Sequence, residues 1–176
     1  MPYSLHASVA VTDHRARHVT GYTIVELMIV VAVISVLMVI AIPIYQSYTA
    51  RSQFSEGLNL AAGLKQRIAE VMTFQGTVPG PDPTVNEAMG LAPPGSISGL
   101  YVSAVEILKD DPDFDDGTIL IEYKNASAFS SNKLHAIQPF FLTGSIKWDC
   151  AIDVNDSGVA NNLHVPNHFR PPACRK

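Results

Sequence analysis

Cysteine, tryptophan and, over one long stretch, charge are all scarce in this chain. There are two cysteines, Cys150 and Cys174, and a single tryptophan, Trp148. Two cysteines so far apart supply neither the ligand set of a structural zinc site nor a thiol with a base beside it. No glycine-rich phosphate loop occurs, nor a nucleophile with base and orienting acid, nor a clustered set of metal ligands, and His135, His164 and His168 are scattered. No catalytic residue, metal or cofactor is therefore assigned. The formal net charge of −4 gives no bulk attraction for nucleic acid. The most telling shortage lies between Gly21 and Arg51, where Glu26 is the only charged side chain.

The run from Gly21 to Pro43 is apolar enough to cross a membrane. A carboxylate inside hydrocarbon costs on the order of a few kcal/mol, so Glu26 must be neutral, interfacial or paired with a cation. Arg15 and Arg17, flanked by His14 and His18, directly precede the run. By the positive-inside rule they hold Met1 to Gly21 in the cytoplasm and send the rest outward. A secretory signal would be cut after its apolar region, but Val39-Ile40-Ala41-Ile42-Pro43 offers no A-x-A pattern.

Tyr22 to Phe74 reads as one helix in two regimes. The first half is apolar all round, whereas in the second Phe54, Leu58, Ala61, Leu64, Ile68 and Val71 recur every three or four residues. A continuous helix of this length would extend roughly 80 Å and project from a small domain. Its apolar half is stable only in lipid or against copies of itself. Pro43 lacks an amide donor and predicts a bend or loosened backbone nearby.

Gly21-Tyr22-Thr23-Ile24-Val25-Glu26 followed by the apolar run resembles the amino-terminal signature of type IV pilin precursors. The resemblance continues through Ala41-Ile42-Pro43-Ile44-Tyr45-Gln46-Ser47-Tyr48-Thr49-Ala50-Arg51-Ser52-Gln53. It returns at Gly144 to Cys150 and Pro171 to Arg175, while Gln75 to Leu134 matches only in general plan. The resemblance implies cleavage by a prepilin peptidase at Gly21–Tyr22 and methylation of the new amino terminus. An uncleaved single-pass anchor is the alternative. Two departures stand out: Tyr22 replaces the usual Phe, and the leader of twenty-one residues is long, so translation could begin inside it. The resemblance also implies that Glu26 pairs with the Tyr22 amine of a neighbouring subunit. Two opposite charges in an apolar bundle recover their desolvation cost only by pairing, and the pair would set the axial register. In pilins a helix break commonly starts at a glycine before the proline. Ser35 holds that position here, so melting between Ser35 and Pro43 and a simple proline kink both remain open.

Residues 1–21 are thus read as a cleaved leader, 22–43 as the transmembrane or filament-core helix, and 44–176 as a globular head. Removal of the leader leaves ten basic and fifteen acidic side chains, a formal −5. The head comprises an amphipathic helix at 44–74, a Gly/Pro-rich irregular and exposed loop at 75–99, a sheet over 100–151 and a cysteine-bounded loop at 150–174. Strand candidates are Leu100 to Leu108, Thr118 to Lys124, Lys133 to Gln138 and Ser145 to Ala151. The predicted class is α+β, a four-stranded antiparallel sheet on the amphipathic half-helix. In a compartment read as oxidising, Cys150 and Cys174 are expected to form a disulfide contributing about 3 kcal/mol in the loop-entropy model.

The acidic stretches Asp110 to Gly117 and Asp153 to Gly158 could hold calcium. The second begins like an EF-hand loop, but His164 stands where its bidentate glutamate belongs, so a solvated hairpin loop and an Asx-rich turn are the preferred readings. Asn125-Ala126-Ser127 is a glycosylation sequon by pattern only. The resulting expectation is a non-enzymatic subunit, made as an inner-membrane precursor with its carboxy terminus in the periplasm and polymerised with copies of itself into an extracellular filament. The assembly machinery would be a partner. Such filaments serve surface adhesion, twitching motility, DNA uptake and host contact, among which the residues do not choose. Rivals are a minor pilin that caps the filament or binds DNA through Arg170, Arg175 and Lys176, a pseudopilin, and a membrane-anchored binding module that never polymerises.

Overall fold

The computed structural model describes residues 21–81, 84–125, 128, 133–142, 144–151 and 165–175. The chain divides into two units, Met1–Val39 and Ile40–Lys176, and each is taken by itself. Helix α1 spans Ile24–Gln75 with Pro43 inside it. In the first unit every described residue is exposed.

In the second unit α1 becomes one-sided. Its buried residues are Ala50, Phe54, Gly57, Ala61, Leu64, Ile68 and Val71, alternating four- and three-residue steps along one stripe. This is the predicted face with one exchange: Gly57 lies in the contact and Leu58 beside it. The reason is Tyr123, whose hydroxyl stands where a Cβ on residue 57 would be, with Ile121 Cγ2 only 2.9 Å from that position. Glycine lets the sheet approach where any side chain would push it away.

The sheet is a four-stranded antiparallel meander in the order β1-β2-β3-β4, with β1 Val102–Ile107, β2 Ile119–Tyr123, β3 Leu134–Leu142 and β4 Ser145–Asp149. Strand β2 alternates, burying Ile119, Ile121 and Tyr123. On β1 a register shift between Val102 and Ala104 lets Val102 and Val105, three residues apart, both be buried. Strand β3 runs four residues beyond its predicted end at Gln138. Its first half pairs with β2 up to Ile119↔Ile137, and its second half with β4, from Gln138↔Asp149 to Leu142↔Ser145. Pro139, the first residue past that end, lies where β2 has already ended, and a proline is tolerated beside an open strand side.

Residues 75–99 are less exposed than a Gly/Pro-rich loop suggests. They contain helix α2, Val85–Ala88, and a 3-10 turn at Pro94–Ser96, and they bury Val78, Val85, Asn86 and Met89. Two charged side chains pin the entry to β1. The Glu56 carboxylate accepts from the amides of Leu100 and, at 3.0 Å, Tyr101, and Lys124 Nζ donates to Gly99 O at 2.7 Å. At the chain end Cys150 and Cys174 form the expected disulfide.

Tyr123 joins sheet to helix, donating its hydroxyl to Phe54 O at 3.0 Å and stacking on the Phe54 ring at 6.0 Å. Burial, then the nearby Glu56 charge, keeps the phenol protonated far above its ordinary range. The unfolded chain loses this proton at about pH 10, whereas the folded chain keeps it. The tyrosine's contribution is therefore complete below about pH 10 and falls by up to about 1.4 kcal/mol per pH unit above it. Tyr123→Phe should lose about 1 kcal/mol at neutral pH. Urea unfolding at neutral and at strongly alkaline pH should then show a shallower alkaline decline than in the parent, and equal slopes would refute the role of the buried phenol.

Candidate functional site

The chemistry singled out in the sequence sits at the start of α1. Thr23 lies just outside the helix and Glu26 in its first turn. The Glu26 Oε2 atom accepts from Thr23 N and from Thr23 Oγ1, both at 2.8 Å, while Glu26 N donates to Thr23 Oγ1 at 3.2 Å. This is a reciprocal capping box, which satisfies amides that a helix start otherwise leaves open. This cap is not among the sequence expectations, although its signal, the Thr-x-x-Glu spacing before an apolar run, is present at Thr23 to Glu26. Only Oε2 takes part. Oε1 has no hydrogen bond among the described residues, so one carboxylate oxygen is spent on the helix and the other is open to a cation.

Tyr22 is 90% exposed and stands beside Glu26 on a depression of about 530 Å³ lined also by Leu27, Ile29 and Val30. Around it the whole surface is apolar and uncovered, from Ile24 through Val39. The helix is long and apolar enough to cross a membrane by length and composition. Ser35 keeps helical geometry here, its hydroxyl donating to Val31 O at 2.8 Å. In the second unit Ser47 Oγ donates likewise to Pro43 O at 3.0 Å.

The remaining candidates fall elsewhere. Asp110 to Gly117 forms the β1–β2 hairpin connection, closed by Leu108 N to Thr118 O at 2.8 Å. Two of its carboxylates turn inward on the loop, Asp116 Oδ1 accepting from Asp110 N at 2.9 Å and Asp111 Oδ1 from Asp113 N at 2.8 Å, while Asp115 Oδ2 accepts from Gln138 Nε2 on β3. No group of three metal-ligating side chains comes together among the described residues. The Asp153 to Gly158 stretch, His164, Lys176, the leader up to residue 20 and most of the Asn125 sequon lie outside the described residues. His135 is buried with its ring 4.6 Å from that of Phe54, a core position, and His168 is exposed against Phe169.

Comparison with known proteins agrees with this geometry. Residues 50–175 match the family described as pilin, a bacterial filament protein, and residues 16–42 match the prokaryotic N-terminal methylation motif. The chain is 32% identical to a fimbrial protein of Neisseria meningitidis serogroup B over 174 residues, covering 88% of this chain and 93% of the relative. It is 36% identical to the type IV major pilin protein PilE of Neisseria gonorrhoeae over 171 residues, covering 88% and 93%. With the type IV major fimbrial protein FimA of Dichelobacter nodosus identity rises to 54% over 71 residues, covering 40% of this chain and 42% of the relative.

Proposed function

This chain belongs to the pilin family, and from that premise we propose that it is the major subunit of a type IV pilus, cut between Gly21 and Tyr22, methylated at Tyr22 and polymerised through α1. The observation that carries the reading is Glu26, a carboxylate with one open oxygen at the head of a helix with no cover of its own. Cleavage turns the Tyr22 amide into a cation with an ordinary pKa near 7.7 to 8.0. The Tyr22 amine of one subunit and Glu26 Oε1 of the next are complementary in sign and both lie in apolar surroundings. Their pairing fixes the axial position of helices that hydrophobic contact alone leaves free to slide.

The same surface that lies in the inner membrane in the precursor, with the head in the periplasm, becomes the filament core after assembly. Loosening of the backbone between Ser35 and Pro43 belongs to that assembled state. Pro43 supplies no amide to Val39 O and its ring crowds that carbonyl, while the Ser35 and Ser47 hydroxyls bond the carbonyls of Val31 and Pro43, side-chain bonds of a kind that bend helices. The filament's work is mechanical, adhesion and twitching motility, with prepilin peptidase and the inner-membrane assembly machinery as partners.

The test is intact-mass and amino-terminal analysis of filaments sheared from the cell surface. A dominant species beginning at methylated Tyr22 is the expected result. Trace abundance would make the chain a minor pilin. Absence from filaments, with Met1 to Gly21 retained on a membrane-bound chain, would overturn the reading in favour of an anchored monomer.

A further inference from the structure

Two guanidinium groups converge in the second unit. Arg51 Nη2 and Arg175 Nη2 both approach the carbonyl oxygen of His168, at 3.5 and 3.4 Å, so the two cations lie close together. Neither has a carboxylate within 4.0 Å among the described residues, where the Arg67–Glu70 pair is the ion pair found. Both are firmly placed. Arg51 follows the fully buried Ala50, and Arg175 follows Cys174, which is disulfide-bonded and 2% exposed. Arg175 Nε is also held by Arg170 O at 2.8 Å. Among the described residues these like charges have no counter-charge and repel, and an anion bound between them offsets that repulsion.

The surroundings of Arg51 identify the anion. Along α1 within this unit, Ile40, Ile42 and Ile44 are exposed, then Tyr45 and Tyr48 are exposed at 68% and 73%, and Arg51 follows. Aliphatic, then aromatic, then cationic is the order of a membrane interface. Helical side chains lean toward the helix amino terminus, which directs the Arg51 side chain back toward the tyrosines. A depression of about 450 Å³ follows the same gradient, lined by Pro43, Ile44, Ser47, Tyr48 and Arg51. Its apolar end suits an acyl chain and its cationic end a phosphate. A nucleic acid would need a row of cations and no apolar floor.

The geometry points to a lipid-headgroup site: the Arg51–Arg175 pair holds the phosphate of an anionic phospholipid of the outer leaflet while the chain is a membrane-anchored subunit. This rests on the membrane stage of the function proposed above. An anionic headgroup on each waiting subunit would fix the depth of the head over the bilayer and must be released when α1 leaves it.

The full-length chain is inserted into phosphatidylcholine nanodiscs containing phosphatidylglycerol, transferred to mild detergent, and its retained lipid counted by native mass spectrometry. The parent is compared with Arg51→Gln, Arg175→Gln and the double variant, the retained disulfide and unchanged circular dichroism showing that each is folded. Phosphatidylglycerol retention is expected to fall roughly five-fold per cation removed, with phosphatidylcholine retention unchanged. Equal phosphatidylglycerol retention in all four chains, inserted normally, would overturn the site and leave the pilin reading intact. Should inorganic phosphate or a DNA duplex bind in an arginine-dependent way while lipid retention does not change, the pair serves a soluble anion and the lipid assignment fails. A chain that does not enter the nanodisc overturns the anchored stage and this inference together. Filament shearing remains an independent readout of polymerisation.

Discussion

Glu26→Gln should leave the head folded and the precursor in the membrane, yet remove this chain's filaments from the cell surface by a hundred-fold or more. Glutamine is the informative substitution because it keeps most of what the carboxylate does within its own chain. Its side-chain oxygen can still accept from Thr23 N and Thr23 Oγ1, so the capping box survives, and Gln is a natural member of that motif. Only the charge disappears. If Glu26 acts by pairing with a neighbour's Tyr22 amine, the variant leaves a buried cation uncompensated at every subunit contact. Breaking a buried pair on one side typically costs about 3 to 5 kcal/mol, which is roughly two to four decades in an association constant. Thr23→Val is the reciprocal control. It removes the cap, costing about 1 kcal/mol of helix stability, and spares the charge, so filament yield should fall only modestly. The opposite pattern, filaments intact in Glu26→Gln and lost in Thr23→Val, would mean that Glu26 matters as a helix cap and that register has another source. Sheared-filament yield against total membrane-bound chain separates the two.

What the sequence made legible follows from the range over which each signal acts. The apolar half of α1 could be read because twenty-odd residues with one charge leave few environments open, and the buried stripe because its period repeats over six turns. Strands β1, β2 and β4 were readable from dense Val, Ile, Tyr and Thr between turn residues. The end of β3 was not, since Pro139 is a breaker unless β2 has already stopped, which is a fact about a segment some twenty residues away. The place of Gly57 in the contact was not legible either, since only Tyr123, 66 positions on, shows what fills the space a side chain would need. The Arg51–Arg175 convergence was equally hidden: it joins side chains 124 positions apart in the sequence through a carbonyl of a 3-10 turn. The pairing of Cys150 with Cys174 needed no such distance information, there being no other cysteine to choose.

Asn86 is the clearest case of a residue without a sequence signal, and its loss should destabilise the head more than removing the Tyr123 hydroxyl. It lies in α2, inside the stretch read as irregular and exposed, yet it is fully buried. Its Oδ1 accepts from Ile107 N at 2.9 Å and its Nδ2 donates to Val105 O at 3.0 Å, with a longer contact to Ala92 O at 3.4 Å. Val105 and Ile107 belong to β1, the first strand in the sheet order, with β2 on one side only. On its other side that strand would present unpaired amides and carbonyls, and Asn86 supplies a donor and an acceptor to two of them, as a further strand would. Asn86→Ala withdraws both and leaves a buried N–H and C=O with no partner, at about 1 to 3 kcal/mol each. A net loss of about 3 kcal/mol is expected, read as an earlier urea midpoint with unchanged slope. Asn86→Asp sharpens the test: it retains an acceptor for Ile107 N but turns a second acceptor toward Val105 O, so it should be at least as damaging as alanine despite its near-identical shape. Stability within a few tenths of a kcal/mol of the parent in both variants would show that water can reach this strand edge, and that the amide of Asn86 is not what closes it.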